Sequence, residues 1–281
     1  MDRLELASAD GTRLVLHDLG GSGPAALIVH AAGFCARPYA PLARHLAGAL
    51  HCYGLDLRAH GASDRPSSGD LAWSRYGEDV LAALDALGPD PILGIGHSLG
   101  GAALLLAALD RPGALRALYC YEPVALPAEV RARITTLPIA ETARARRARF
   151  SSRAEALERF ASRPPLDVLV PEALAEYVAH GFVELAPGGV TLACSPEDEA
   201  RTYESARAAP LYEQLGEVDA DLAVGCGELS EPLTARVAAD IASRVRGARF
   251  ERVAGLGHFG PLEDPERVAG AICRATEAAR A

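Results

Sequence analysis

The sequence predicts an α/β fold: a mostly parallel sheet covered by helices on both faces, with one long helical insertion. Three observations predict it. An apolar hairpin opens the chain, short apolar runs then alternate with helix-period stretches, and residues 124–212 interrupt that alternation.

The hairpin reads as Arg3–Ala7, a turn at Asp10-Gly11, and Thr12–Leu19 with alternating apolar positions. Six further strand candidates follow the Gly20-Gly21-Ser22-Gly23-Pro24 loop: Ala25–His30, His51–Leu57, Pro91–Gly96, Leu115–Tyr121, Asp221–Cys226 and Arg249–Val253. Helical patterns fall at Pro38–Leu50, Ala72–Leu87, Leu99–Leu109, Pro232–Val245 and Pro265–Ala279. Strands joined through helices pair in parallel. From Val124 to Tyr212 the patterns are amphipathic and helix-like, with no convincing buried strand, and Gly188–Cys194 as one extended piece. That stretch is too long for a connection, so a helical lid is expected at 124–212, with the core domain at 1–123 and 213–281. Ser195-Pro196-Glu197-Asp198 has the form of a helix start: cap, proline, then acids in the first turn.

The 281 residues are 49% hydrophobic, enough for a sizeable core, and no apolar run approaches a membrane span. The net charge of −9 disfavours nucleic acid and anionic membranes as partners. Every basic residue is Arg, and the absence of Lys excludes Schiff-base and Walker-type phosphate chemistry. The six cysteines lack metal or redox spacing, so buried thiols and neither metal nor cofactor are expected. The first residues enter a strand pattern with no signal peptide, which predicts a cytoplasmic protein.

The chemistry-bearing motif is Gly96-His97-Ser98-Leu99-Gly100-Gly101, set between an apolar strand and an apolar helix. A serine on such a sharp turn is exposed as a nucleophile, its flanking positions must be small, and the helix N-terminus beneath it favours a developing anion. His97 reads as a packed, hydrogen-bonded residue. The run of Arg131, Arg133, Arg144, Arg146, Arg147, Arg149 and Arg153 alternates with Ala and Glu141 and reads as a solvated helix face.

Three further segments carry a resemblance: His30-Ala31-Ala32-Gly33-Phe34, Asp56-Leu57-Arg58-Ala59-His60-Gly61-Ala62-Ser63, and Gly255-Leu256-Gly257-His258-Phe259. With the serine turn, they make the chain resemble the α/β-hydrolase-fold family over nearly its whole length, which implies an eight-stranded sheet. The resemblance implies Ser98 as nucleophile and His258 as general base. It also implies an oxyanion hole from the N–H groups of Ala32 and Leu99, with Gly33 as the alternative to Ala32. Where the family usually carries its acid, in a turn after the seventh strand, this chain has Ser230 in Gly227-Glu228-Leu229-Ser230. Glu122, ending the sixth strand, matches the acid placement of some relatives, and Glu228 and Glu231 remain alternatives. The expected activity is hydrolysis of a small-molecule ester or lactone. A C–C bond hydrolase, a lyase or a small-molecule receptor on the same parts are the rivals, since one fold hosts many functions.

Overall fold

The structure, a computed structural model, describes residues 3–90, 92–133 and 138–278. Its strands are β1 (Arg3–Ala7), β2 (Arg13–Gly21), β3 (Ala25–Val29), β4 (His51–Asp56), β5 (Ile92–His97), β6 (Leu115–Tyr121), β7 (Arg149–Phe150), β8 (Phe182–Glu184), β9 (Val190–Leu192), β10 (Asp221–Gly227) and β11 (Arg249–Val253). Eight of them form one sheet in the order β1-β2-β4-β3-β5-β6-β10-β11. Only the β1–β2 and β2–β4 pairings are antiparallel. The remainder are parallel. The expected strand start at Pro91 and helix end at Ala279 lie outside the described residues.

Each sheet face carries its own apolar layer, as parallel strands joined by helices require. On one face lie the helices Trp73–Leu87, Leu99–Asp110 and Pro232–Arg244, with Tyr76, Val80, Leu104 and Ile241 buried. On the other lie Ala40–Leu46 and Pro265–Ala278, with Leu42, Leu46, Val268 and Ile272 buried. The helix Leu99–Asp110 is apolar on every side and buried from Leu99 to Ala108, because it packs between the sheet and Trp73–Leu87. The expected helix from Pro38 to Leu50 is shorter: a 3₁₀ turn at Arg37–Tyr39 leads into Ala40–Leu46.

The long connection between β6 and β10 is mostly helical, at Ala128–Arg133, Pro138–Arg144, Arg153–Ala161, Pro171–His180 and Pro196–Ser205. The last begins as its sequence indicated, with the Ser195 hydroxyl accepting from Asp198 N–H at 3.1 Å. The connection also holds a small antiparallel sheet, β7-β9-β8, where only one extended piece was expected. Strands of two or three residues are too short to display a period of two, and their buried side chains (Phe150, Phe182, Val190, Leu192) come from separate segments.

Parallel strands leave their C-terminal ends at one rim, and the chain reverses its direction of winding between β3 and β5. Open α/β sheets bind ligands at such a crevice. The loops after β3, β5, β6, β10 and β11 all emerge there.

Candidate active site

Ser98 follows β5 and caps the helix Leu99–Asp110 with φ 52° and ψ −113°, a left-handed conformation that a non-glycine residue adopts only under constraint. The constraint is packing. A Cβ on Gly96 would stand 2.5 Å from Gly101 Cα, and one on Gly100 would collide with the Val29 carbonyl. The turn therefore closes only with glycine at both positions. Leu99, in the first helical turn, has an N–H with no intrahelical acceptor.

The neighbouring strand supplies the carboxylate. His97 pairs with Tyr121 in the β5–β6 register, and Ser98 N–H donates to the Tyr121 carbonyl at 2.9 Å. The next residue, Glu122, also has positive φ, 47°, and its N–H donates to Gly225 of β10 at 2.8 Å. Its Oε2 lies 2.6 Å from His258 Nδ1. Its Oε1 accepts from Gly227 N–H at 2.8 Å, from the Ser230 hydroxyl and from the Cys226 thiol at 3.3 Å. Burial raises the Glu122 pKa, but the His258 contact and these donors outweigh it, leaving the carboxyl below its ordinary value.

Ser230 thus donates to the Glu122 carboxylate from the position where the resemblance led one to look for an acid. Of the alternatives, Glu228 accepts from Gly255 N–H at 2.9 Å, while Glu231 stands exposed before the helix Pro232–Arg244. Among the described residues, Glu122 is the carboxylate in contact with His258.

The loop after β3 presents three consecutive amides. Ala31 N–H donates to the Tyr39 hydroxyl at 3.1 Å, and Gly33 N–H to His60 Nε2 at 3.1 Å. Ala32 N–H, between them, has no acceptor among the described residues. The Gly33 N–H is thus already engaged, and the Ala32 N–H is not. His30 braces this loop, with Nδ1 2.8 Å from the Ala31 carbonyl and Nε2 accepting from Leu57 N–H at 3.1 Å. Asp56 accepts from Ala36 and Ala62 N–H at 2.7 and 2.8 Å, and Arg58 is fully buried on Asp79. Burial, and then the nearby His60, pushes the His30 pKa down to about 3; burial also lowers that of His60, against the opposing effect of its hydrogen bond and nearby carboxylates.

One expectation about the connecting segment fails here. Arg146 does not belong to a solvated face: it pairs with buried Glu199, its Nη2 is 2.9 Å from the Tyr177 hydroxyl, and that hydroxyl donates to the Gly33 carbonyl at 3.1 Å. A Cβ on Gly33 would stand 2.7 Å from Glu199 Oε1. Nothing in the sequence distinguished Arg146 from Arg144, which pairs with the exposed Glu197 and with Glu204. Tyr39 was likewise invisible as a site residue, since its significance depends on partners 8 and 58 positions away.

A mostly parallel sheet with a serine turn, a carboxylate–histidine contact and an uncommitted amide at one rim defines a hydrolase-type α/β architecture. The chain belongs to the alpha/beta hydrolase family, whose pattern matches residues 26–271. It is 34% identical over 88 residues to protein phosphatase methylesterase 1 of Rattus norvegicus, covering 30% of this chain and 23% of that protein. It is 33% identical over 133 residues to monoglyceride lipase of Homo sapiens, covering 44% of each. These matches span less than half of either relative. The crystal structure of E-2-(acetamidomethylene)succinate hydrolase superposes with a TM-score of 0.83 at 20% identity, over 98% of this chain and 99% of that one.

Proposed function

We propose that this protein is a serine hydrolase that cleaves a small-molecule carboxylic ester or lactone through an acyl-enzyme on Ser98. The observation that carries this reading is the Glu122–His258 contact, at 2.6 Å, on the strand end beside the Ser98 turn. Glu122 orients the imidazole with Nδ1–H toward the carboxylate, leaving Nε2 as the base that takes the Ser98 proton during attack on the carbonyl. The Ala32 and Leu99 N–H groups stabilise the oxyanion, and His258 then protonates the leaving alcohol. Water activated by the same imidazole hydrolyses the acyl-enzyme and restores the serine. Residues 124–212 act as a lid over the rim, with the Arg146–Glu199–Tyr177 cluster resting on the oxyanion loop. The names of two sequence relatives, a methylesterase and a lipase, support ester chemistry.

The test is covalent. A fluorophosphonate probe should add one label per chain on Ser98, and the protein should turn over p-nitrophenyl butyrate. Ser98→Ala should abolish labelling and lower kcat by about 10⁴-fold with the fold intact. Activity within tenfold of the parent would remove Ser98 as nucleophile, and labelling without ester turnover would favour C–C cleavage or a ligand-binding role.

A further inference from the structure

We propose that Tyr39 and His97 are positioning residues that tie the oxyanion loop to the loop of the catalytic histidine through a single directed chain of hydrogen bonds. The proposal rests on the serine-hydrolase reading for its kinetic consequence, but its geometry stands apart from that reading.

The chain has four members. Ala31 N–H lies 3.1 Å from the Tyr39 hydroxyl, that hydroxyl lies 2.7 Å from His97 Nδ1, and His97 Nε2 lies 2.8 Å from the carbonyl oxygen of His258. Both ends have fixed polarity. A backbone amide can only donate, and a carbonyl can only accept. His97 must therefore carry its proton on Nε2, which leaves Nδ1 as an acceptor in the neutral ring. The Tyr39 hydroxyl must accept from Ala31 and donate to His97. One arrangement of protons satisfies all three contacts, and every hydrogen in it points from the oxyanion loop toward His258.

The surroundings maintain that arrangement. His97 is 1% exposed and Tyr39 is 1% exposed. Burial, followed by the nearby His258, holds the His97 pKa well below its ordinary value, so the ring stays neutral. Burial likewise raises the Tyr39 pKa, so the hydroxyl keeps its proton. The rings of Tyr39, Tyr121 and Phe259 stand edge-on to His97 with centroids 6.0, 5.9 and 6.4 Å away and pack around the imidazole.

Placement makes this more than the satisfaction of a buried histidine. One end of the chain is the residue before Ala32, the proposed oxyanion donor. The other is the backbone of the proposed base. The middle member immediately precedes Ser98. Three groups that must converge on one carbonyl come from separate loops, and misplacement of about 1 Å in such a constellation can lower the rate by about 10²-fold. Tyr39 and His97 touch neither substrate nor the reacting atoms in this account; they act through Ala32 and His258.

Two measurements test it. The first is a kinetic split in Tyr39→Phe, which deletes one oxygen and leaves the ring in place. With p-nitrophenyl butyrate, kcat should fall by about 10- to 100-fold while KM stays within about threefold, because transition-state contacts are displaced and ground-state binding is not. Combining it with His97→Gln, which retains a donor toward the His258 carbonyl, should do little more damage than the worse single variant, since both act on one chain. A kcat within twofold of the parent, or a loss appearing in KM alone, would overturn the proposal. The second is ¹⁵N NMR of the histidine-labelled parent protein at pH 7, which needs neither turnover nor a variant that folds. His97 should appear as the neutral Nε2–H tautomer, and the Nδ1–H tautomer or the cation would overturn the chain. If the parent neither labels at Ser98 nor turns over ester, the hydrolase reading fails while the tautomer still decides the chain.

Discussion

The rim of the sheet and the connection above it handle charge in opposite ways. At the rim, Glu122 is 1% exposed and His30, His60 and His97 are buried, and each has specific partners on neighbouring strands or loops. In the connection, Arg147–Glu155 and Arg153–Glu184 are ion pairs held largely in solvent. Arg146–Glu199 is of the other kind, a charge pair from the connection pressed against the rim at Gly33. The contrast teaches that burial, rather than the number of charges, decides what an ionic contact does. In water a pair contributes little, whereas a buried charge deprived of its partner is strongly destabilising.

The largest expected effect lies at the rim. Glu122→Gln should preserve the fold and lower kcat toward p-nitrophenyl butyrate by up to ~10⁴-fold, because an amide neither stabilises the imidazolium nor enforces its tautomer. Glu228→Gln and Glu231→Gln should each stay within about tenfold. If Glu231→Gln were the crippled variant, the acid would belong to the Gly227 turn after all.

A smaller effect is expected where the connection meets the rim. Arg146→Met leaves the Glu199 carboxylate buried without its cation and should destabilise the protein by about 3 kcal/mol in urea unfolding. A change under about 0.5 kcal/mol would place this pair with the exposed ones.

Acid should act on the rim more than on the connection. The His30, His60 and His97 pKa values are lowered, chiefly by burial. Unfolded imidazoles take up protons near pH 6.5 while the folded ones do not, so their contribution is fully present above that value. It is lost as pH falls toward the folded values, about 3 for His30. The unfolding midpoint should therefore drop by several degrees between pH 7 and 4.5. Glu122, held below the ordinary 4.5, stabilises the fold above that pH and loses its contribution only under it. Parent and Glu122→Gln should accordingly converge in stability below pH 4.5. A midpoint that is flat down to pH 4.5 would mean that the buried histidines are not neutral.

The smallest effect belongs to the solvated pairs. Arg153→Ala should shift stability by no more than ~0.5 kcal/mol. A loss matching that of Arg146→Met would erase the distinction between the two regions.

Much of this architecture is local and was legible residue by residue. Alternating and helical periods mark which faces are buried, so the order of the eight main strands and the helices between them could be read directly. The serine turn was legible because Gly96 and Gly100 are steric requirements of the turn itself, independent of distant partners. The choice among Glu122, Glu228 and Glu231 could not be made that way. Glu122 and His258 are 136 positions apart, and their contact exists because β6, β10 and β11 lie side by side in the sheet. The same holds for Arg146, whose local pattern matches that of its solvated neighbours, and for Tyr39, an ordinary apolar-face residue until His97 and Ala31 meet its hydroxyl. Periodicity records whether a side chain is buried, but its hydrogen-bond partners arrive from strands and loops distant in the chain, and only the packed sheet brings them within hydrogen-bonding distance of one another.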